Sequence, residues 1–200
     1  MAITINGSGT VTGINVGGLP DGIVDTDMLA NNAVTVAKAA GSVQGIQEID
    51  QWRINNNLAL AAGETDLTTN WERNDSKFSL IGTGMSESSG IFTFPSTGIW
   101  HVTFVGYSAD SDASRYAGAY VKYSSDSGSN WYTISQTFDG IFDQSSDTVY
   151  GAFMNSIIFD VTDASTHRLK VTFAAQNACG LMGSSTSTRT HITFLRLANT

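Results

Sequence analysis

Gly90-Ile91-Phe92-Thr93-Phe94-Pro95-Ser96-Thr97-Gly98-Ile99-Trp100-His101-Val102-Thr103-Phe104-Val105-Gly106-Tyr107 is the stretch whose reading decides the fold. It holds two alternating apolar runs, 90–94 and 98–107, on either side of Pro95. Successive side chains of a strand point to opposite faces. Trp100, Val102, Phe104 and Gly106 therefore share one face, and His101, Thr103, Val105 and Tyr107 the other. The first face is apolar and belongs in a core. The second mixes polar and apolar groups and implies a further burial against another subunit. Pro95, which has no N–H to donate, falls between the runs, where no ladder bond is lost. Thr190 to Leu197 repeats the pattern, with Ile192 and Phe194 opposite His191, Thr193, Leu195 and Leu197.

Outward from this stretch, short alternating runs continue at 52–60, 78–81, 116–123, 131–137, 151–161, 168–175 and 190–197. Clusters of Gly, Asn, Asp and Ser separate them, and no helical periodicity intervenes. Regularly spaced short strands predict a β-sandwich or barrel. Phe94 and Phe104 are expected in its core.

The first fifty residues differ. Every Phe, Tyr and Trp of the chain lies from Trp52 onward. A segment without aromatics builds little core of its own, yet this one is not charged like a disordered tail. Ala2 to Gly7 alternates like a short strand ending in a turn, Thr10 to Gly18 repeats that character, and Leu19-Pro20-Asp21-Gly22 is a turn signal. Short helices are expected at 27–30 and 36–40, the first capped by the Asp25-Thr26-Asp27 cluster. The chain is thus read as an attachment and trimerisation segment, 1–50, and a β head, 51–200. Ile3, Ile5, Val11, Ile14, Met28, Leu29 and Val34 are the candidate attachment residues.

Composition narrows the function. Only 14% of residues are charged, below the roughly 25% of an average globular protein. Ser, Thr, Asn and Gly replace them, which suits an extracellular or virion surface. A net charge of −8, without a Lys/Arg cluster, argues against nucleic-acid binding. No basic stretch followed by an apolar run opens the chain, and no run approaches the roughly 18 apolar residues of a membrane span. Neither secretion by a signal peptide nor membrane insertion is expected, whereas release of assembled virions by lysis needs neither. The single cysteine, Cys179, precludes an intrachain disulfide and reads as a small buried hydrophobe.

Two resemblances follow from these residues. Gly90 to Val102 resembles the signature of the jelly-roll heads of complement first-component subunits and tumour necrosis factor: apolar, Thr, apolar, Pro, two residues, Gly, then a long aromatic-rich strand. Val121 to Trp131 resembles the strand, acidic-glycine turn and aromatic strand found in the middle of such heads, and Thr190 to Leu197 their closing strand. The resemblance covers residues 52–200 and implies a trimer, which would bury both segments by symmetry. Residues 3–13 and 25–38 instead resemble the openings of tailed-phage fibre proteins. The collagen stalk of the animal relatives, with its Gly-X-Y repeat, is absent. Together these imply a virion protein: a homotrimeric tail fibre or receptor-binding protein whose first fifty residues dock to other virion proteins. Its head would contact a glycan or protein of the host surface. A head fibre or capsid decoration protein shares the same fold and symmetry.

A search for catalytic chemistry returns little. His101, His167 and His191 have no metal-binding spacing, and there is no Gly-x-Ser-x-Gly elbow or lysine-bearing phosphate loop. Loop carboxylates such as Asp110 with Asp112, or Asp139 with Asp143, could supply a glycosidase pair, so a glycan-degrading enzyme is the alternative from a different class. Asp126-Ser127-Gly128-Ser129-Asn130 offers calcium-type oxygen ligands but reads first as a tight turn. No enzyme activity and no cofactor are expected. Tyr116, Trp131 and Tyr132 are the candidate surface-binding residues, because aromatic faces stack on sugar rings and anchor interfaces. Trp131 reads equally well as a core strand residue.

Overall fold

A computed structural model describes residues 4–5, 11–12, 45–75, 78, 80–110, 114–142 and 147–200. The expected helices at 27–30 and 36–40, and Ile3, Ile14, Met28, Leu29 and Val34, lie outside the described residues. In the first segment, β1 (Thr4–Ile5) pairs antiparallel with β2 (Val11–Thr12), with Ile5 opposite Val11.

Residues from Gly45 to Thr200 form a compact unit of two antiparallel sheets, and no helix occurs among the described residues. The seven-stranded sheet contains β3 (Ile49–Ile54), β4 (Leu58–Leu60), β6 (Trp71–Arg73), β9 (Gly98–Asp110), β12 (Val149–Val161), β14 (Cys179–Leu181) and β15 (His191–Ala198). Its order is β4-β14-β9-β15-β3-β6, with β12 along the free edge of β9. The six-stranded sheet contains β5 (Gly63–Asp66), β7 (Ser86–Ser88), β8 (Ile91–Thr93), β10 (Ser114–Ser124), β11 (Tyr132–Ile141) and β13 (Arg168–Ala175). Its order is β11-β10-β13-β8-β7, and β5 follows β8 along the same edge of β13. The chain crosses between sheets repeatedly, giving a jelly-roll sandwich.

Burial along β9 alternates strictly from Gly98 to Asp110, as its side-chain pattern predicts. Trp100, Val102, Phe104 and Phe194 face Phe92, Leu169, Val171 and Phe173 across the sandwich, and all are essentially inaccessible. Phe94 is buried too. Its ring meets Trp100 at 5.2 Å and Phe159 at 5.4 Å, both edge-on. Each such aromatic side chain contributes on the order of 1.5–3 kcal/mol by leaving water. Gly90, where the decisive stretch begins, is required: its φ is +78° and a Cβ would lie 2.1 Å from the Leu67 carbonyl oxygen.

The sandwich also carries buried charge. Asp50 accepts hydrogen bonds from the Met85 N–H (2.8 Å), Trp52 Nε1 (2.9 Å) and the Arg73 guanidinium (3.1 Å). Arg53, inaccessible in spite of its length, donates to Glu72 (3.1 Å), Asn74 (3.0 Å), Asp75 (2.7 Å) and the Ser185 carbonyl. These pairs tie β3 to β6 and to the loops after β6 and β14. β3 begins at Ile49, so a boundary between residues 50 and 51 falls inside a strand and separates Asp50 from its partners. Of the expected run at 78–81, Ile81 makes an isolated bridge to Ile49.

Candidate functional site

The outward faces of the two sheets offer two different surfaces. On the six-stranded sheet, Tyr116, Gly118, Tyr120 and Lys122 recur every second residue of β10 and turn away from the core. The register places Phe138, Gly118, Ala174 and Glu64 in one row across β11, β10, β13 and β5, and Gln136, Tyr120, Thr172 and Asp66 in the next. Phe138 lies across Gly118, where a Cβ would come within 2.6 Å of its ring. From there it meets Tyr116 at 5.6 Å and Tyr120 at 5.2 Å, edge-on in both cases.

The small residues Gly118 and Ala174 thus lie low between aromatic walls on one side and Gly63 and Glu64 on the other. The result is an open cleft of about 360 Å³ lined by Gly63, Glu64, Tyr116, Tyr120, Phe138 and Ala174. Lys122 stands at its rim, 2.9 Å from the Glu64 carboxylate and 5.3 Å from the Tyr120 ring centre. One row on, Asp66 accepts from Lys170 (2.7 Å) and Thr172 (2.5 Å). Partial burial pushes the Asp66 carboxyl up, but these hydrogen bonds prevail and hold it below its ordinary value.

Of the three residues expected to bind, only Tyr116 lines this cleft, at 37% exposure. Trp131 precedes β11 and is half-buried, neither a core strand residue nor a free anchor: Lys170 Nζ sits 4.6 Å above its ring. Tyr132 is 60% exposed and registered opposite Tyr123, apart from the cleft. Tyr120 and Phe138, outside that set, line the cleft as well. The alternation Tyr116-x-Gly118-x-Tyr120 was visible in the sequence, but Phe138 belongs with it only through strand register.

The outward face of the seven-stranded sheet is broader. Val105, Met154 and His191 share a row, and Ile158, His101, Leu195 and Ile49 another. Met154 is 56% and Ile158 64% exposed. Tyr107 and Tyr150 stack at 5.5 Å beside them. Between the apolar rows, Gln51 donates to Thr193 (2.9 Å), and His101 meets Ser156 (2.9 Å). This face thus alternates rows that carry exposed apolar side chains with a polar row.

The other motifs resolve structurally. Asp126 accepts from the Asn130 N–H (2.9 Å), the Asn130 side chain (2.6 Å) and Ser124 (2.7 Å), which hold its carboxyl down at about 2. Its oxygens close the turn after β10. Cys179 is buried in β14, and burial, with the Asp110 charge nearby, pushes its thiol up to about 11. Among the described residues no group of three or more His, Cys, Asp and Glu is placed to hold a metal ion, and no helix is long and apolar enough to cross a membrane. Asp112 and Asp143, members of the two candidate carboxylate pairs, lie outside the described residues.

Architecture and strand order define the head as a jelly-roll β-sandwich. Comparison with solved structures agrees. Eiger TNF from S. frugiperda superposes with a TM-score of 0.60 at 13% identity, covering 78% of this chain and 96% of that one. A structure of murine APRIL superposes with a TM-score of 0.52 at 16% identity, covering 75% and 98%. No protein-family model and no curated sequence matches the chain.

Proposed function

We propose that this chain is a structural protein of a bacteriophage virion, a homotrimeric tail fibre or receptor-binding protein whose head contacts the host surface. The observation that carries the reading is the outward face of the seven-stranded sheet, where Met154 and Ile158 stand more than half exposed beside Val105 and Leu195. Threefold association buries such a face by symmetry and leaves the opposite sheet, with its aromatic cleft, free to meet a ligand. The low charge content and the aromatic-free first fifty residues suit a virion part that docks through its N-terminal segment. Ile5 and Val11, paired in the β1–β2 ladder, belong to that docking segment. The molecule works by binding and carries out no catalytic step.

Immunogold labelling of phage particles with an antibody to the head tests the assignment. Label at the tail tip or fibres supports it, and competition of adsorption by purified protein supports the receptor role. Label on the capsid moves the chain to a head fibre or decoration protein. Particles that lack the chain refute a virion role.

A further inference from the structure

The geometry points to the cleft beside Tyr116 as a glycan subsite that takes one neutral hexose ring. This deepens the receptor-binding reading above, by naming the ligand class and the residues that meet it. Three features of the cleft select that occupant. Its walls are aromatic, and Tyr116 is 37% exposed, so ring faces and edges remain free to meet the C–H side of a pyranose. Its floor is kept low by Gly118 and Ala174, and a Cβ on Gly118 would displace the Phe138 ring that forms the wall. Its rim carries a carboxylate and an ammonium 2.9 Å apart, Glu64 and Lys122. A carboxylate accepts from two adjacent hydroxyls, the complement of a vicinal diol, and an ammonium donates to a third hydroxyl.

Charge selects further. The two ammonium groups beside the cleft, Lys122 and Lys170, are already paired with Glu64 and Asp66, so neither is left over for a sugar carboxylate, and the whole chain carries −8. Uronic and sialic acids are therefore disfavoured against neutral sugars. At about 360 Å³ the cleft is near the small end of ligand sites, enough for a terminal ring and part of its neighbour. Several heads engaging one surface raise the affinity of each single site through effective concentration.

The test is a two-dimensional NMR titration of the full chain with lactose, cellobiose and maltose, and in parallel with glucuronic acid and sialyllactose. At least one neutral disaccharide should give saturable shifts at Gly63, Glu64, Tyr120, Phe138 and Ala174. Tyr116→Ala should weaken binding roughly tenfold, the loss expected when one stacked aromatic is truncated. Glu64→Gln, which keeps the shape, should weaken it while leaving the melting temperature in place. Tyr132→Ala should change nothing. Saturable shifts that map elsewhere, equal binding by the Tyr116→Ala variant, preference for the acidic sugars, or no binding by any neutral disaccharide overturns the subsite. The receptor reading is judged separately: if purified protein still competes with phage for host cells while the cleft variants compete equally well, the head binds its receptor through another surface.

Discussion

Replacing Asp50 with alanine is a perturbation whose size follows from the structure. The carboxylate is 1% exposed and serves three donors. Its loss leaves the buried Met85 N–H without this acceptor, at about 1–3 kcal/mol. Trp52 Nε1 loses a charged acceptor in a half-buried setting, about 1 kcal/mol more. Arg73 is 37% exposed and regains water, so the broken ion pair adds no more than about 1 kcal/mol. The expected cost is thus about 3 kcal/mol. For a chain of this size a loss of 1 kcal/mol lowers the melting temperature by roughly 2–4 °C, so Asp50→Ala should melt about 6–12 °C lower by calorimetry. Glu64→Gln, at a pair whose carboxylate is 56% exposed, is the control and should shift by no more than about 0.5 kcal/mol. Equal melting temperatures for the two variants would refute the reasoning, since they would make a buried, triply bonded carboxylate energetically equivalent to a solvated one.

Phe104 is fully buried and packs against Phe153, so Phe104→Ala should cost about 3–5 kcal/mol in urea unfolding, and an unchanged midpoint would remove it from the core. The Asp126 carboxyl should titrate near 2 by NMR. Because its folded value lies below the ordinary 3.8, the stability it contributes is present above that value and lost as pH falls towards 2, so Asp126→Ala should flatten the acid limb of the stability profile. A fragment of residues 45–200 should fold and fail to enter particles, whereas one of residues 51–200 should melt lower than the point variant, because it loses Asp50 together with the Ile49–Ile81 bridge and the Glu48 bonds to Thr83 and Gly84.

The head was legible where periodicity is strong. β9 alternates over thirteen residues, and its apolar face, Trp100, Val102 and Phe104, is the core face observed. Two of the short strands were not legible. β5 (Gly63–Asp66) and β7 (Ser86–Ser88) contain no large apolar residue, so they have no hydrophobic pattern to read and exist because β13 and β8 offer them hydrogen-bonding edges. The same holds for the cleft. Tyr116 reads as a binding aromatic from the sequence, but Glu64 reaches it only through β5, and Phe138 only through the register of β11. Nothing in the local sequence marks Arg53 as buried. Its burial depends on Glu72, Asn74 and Asp75, which meet it from β6 and the loop beyond. Non-local pairing decides such positions, and local patterns do not carry it.

The central claim is that the apolar face of the seven-stranded sheet joins copies of this chain, and sedimentation equilibrium of the full chain at micromolar concentration tests it most directly. The expected mass is three times that of one chain. The double variant Met154→Glu, Ile158→Glu, altering side chains already 56% and 64% exposed in the single chain, should sediment as a folded monomer. A wild-type protein that sediments as a monomer, or a double variant that remains a trimer, would contradict the account.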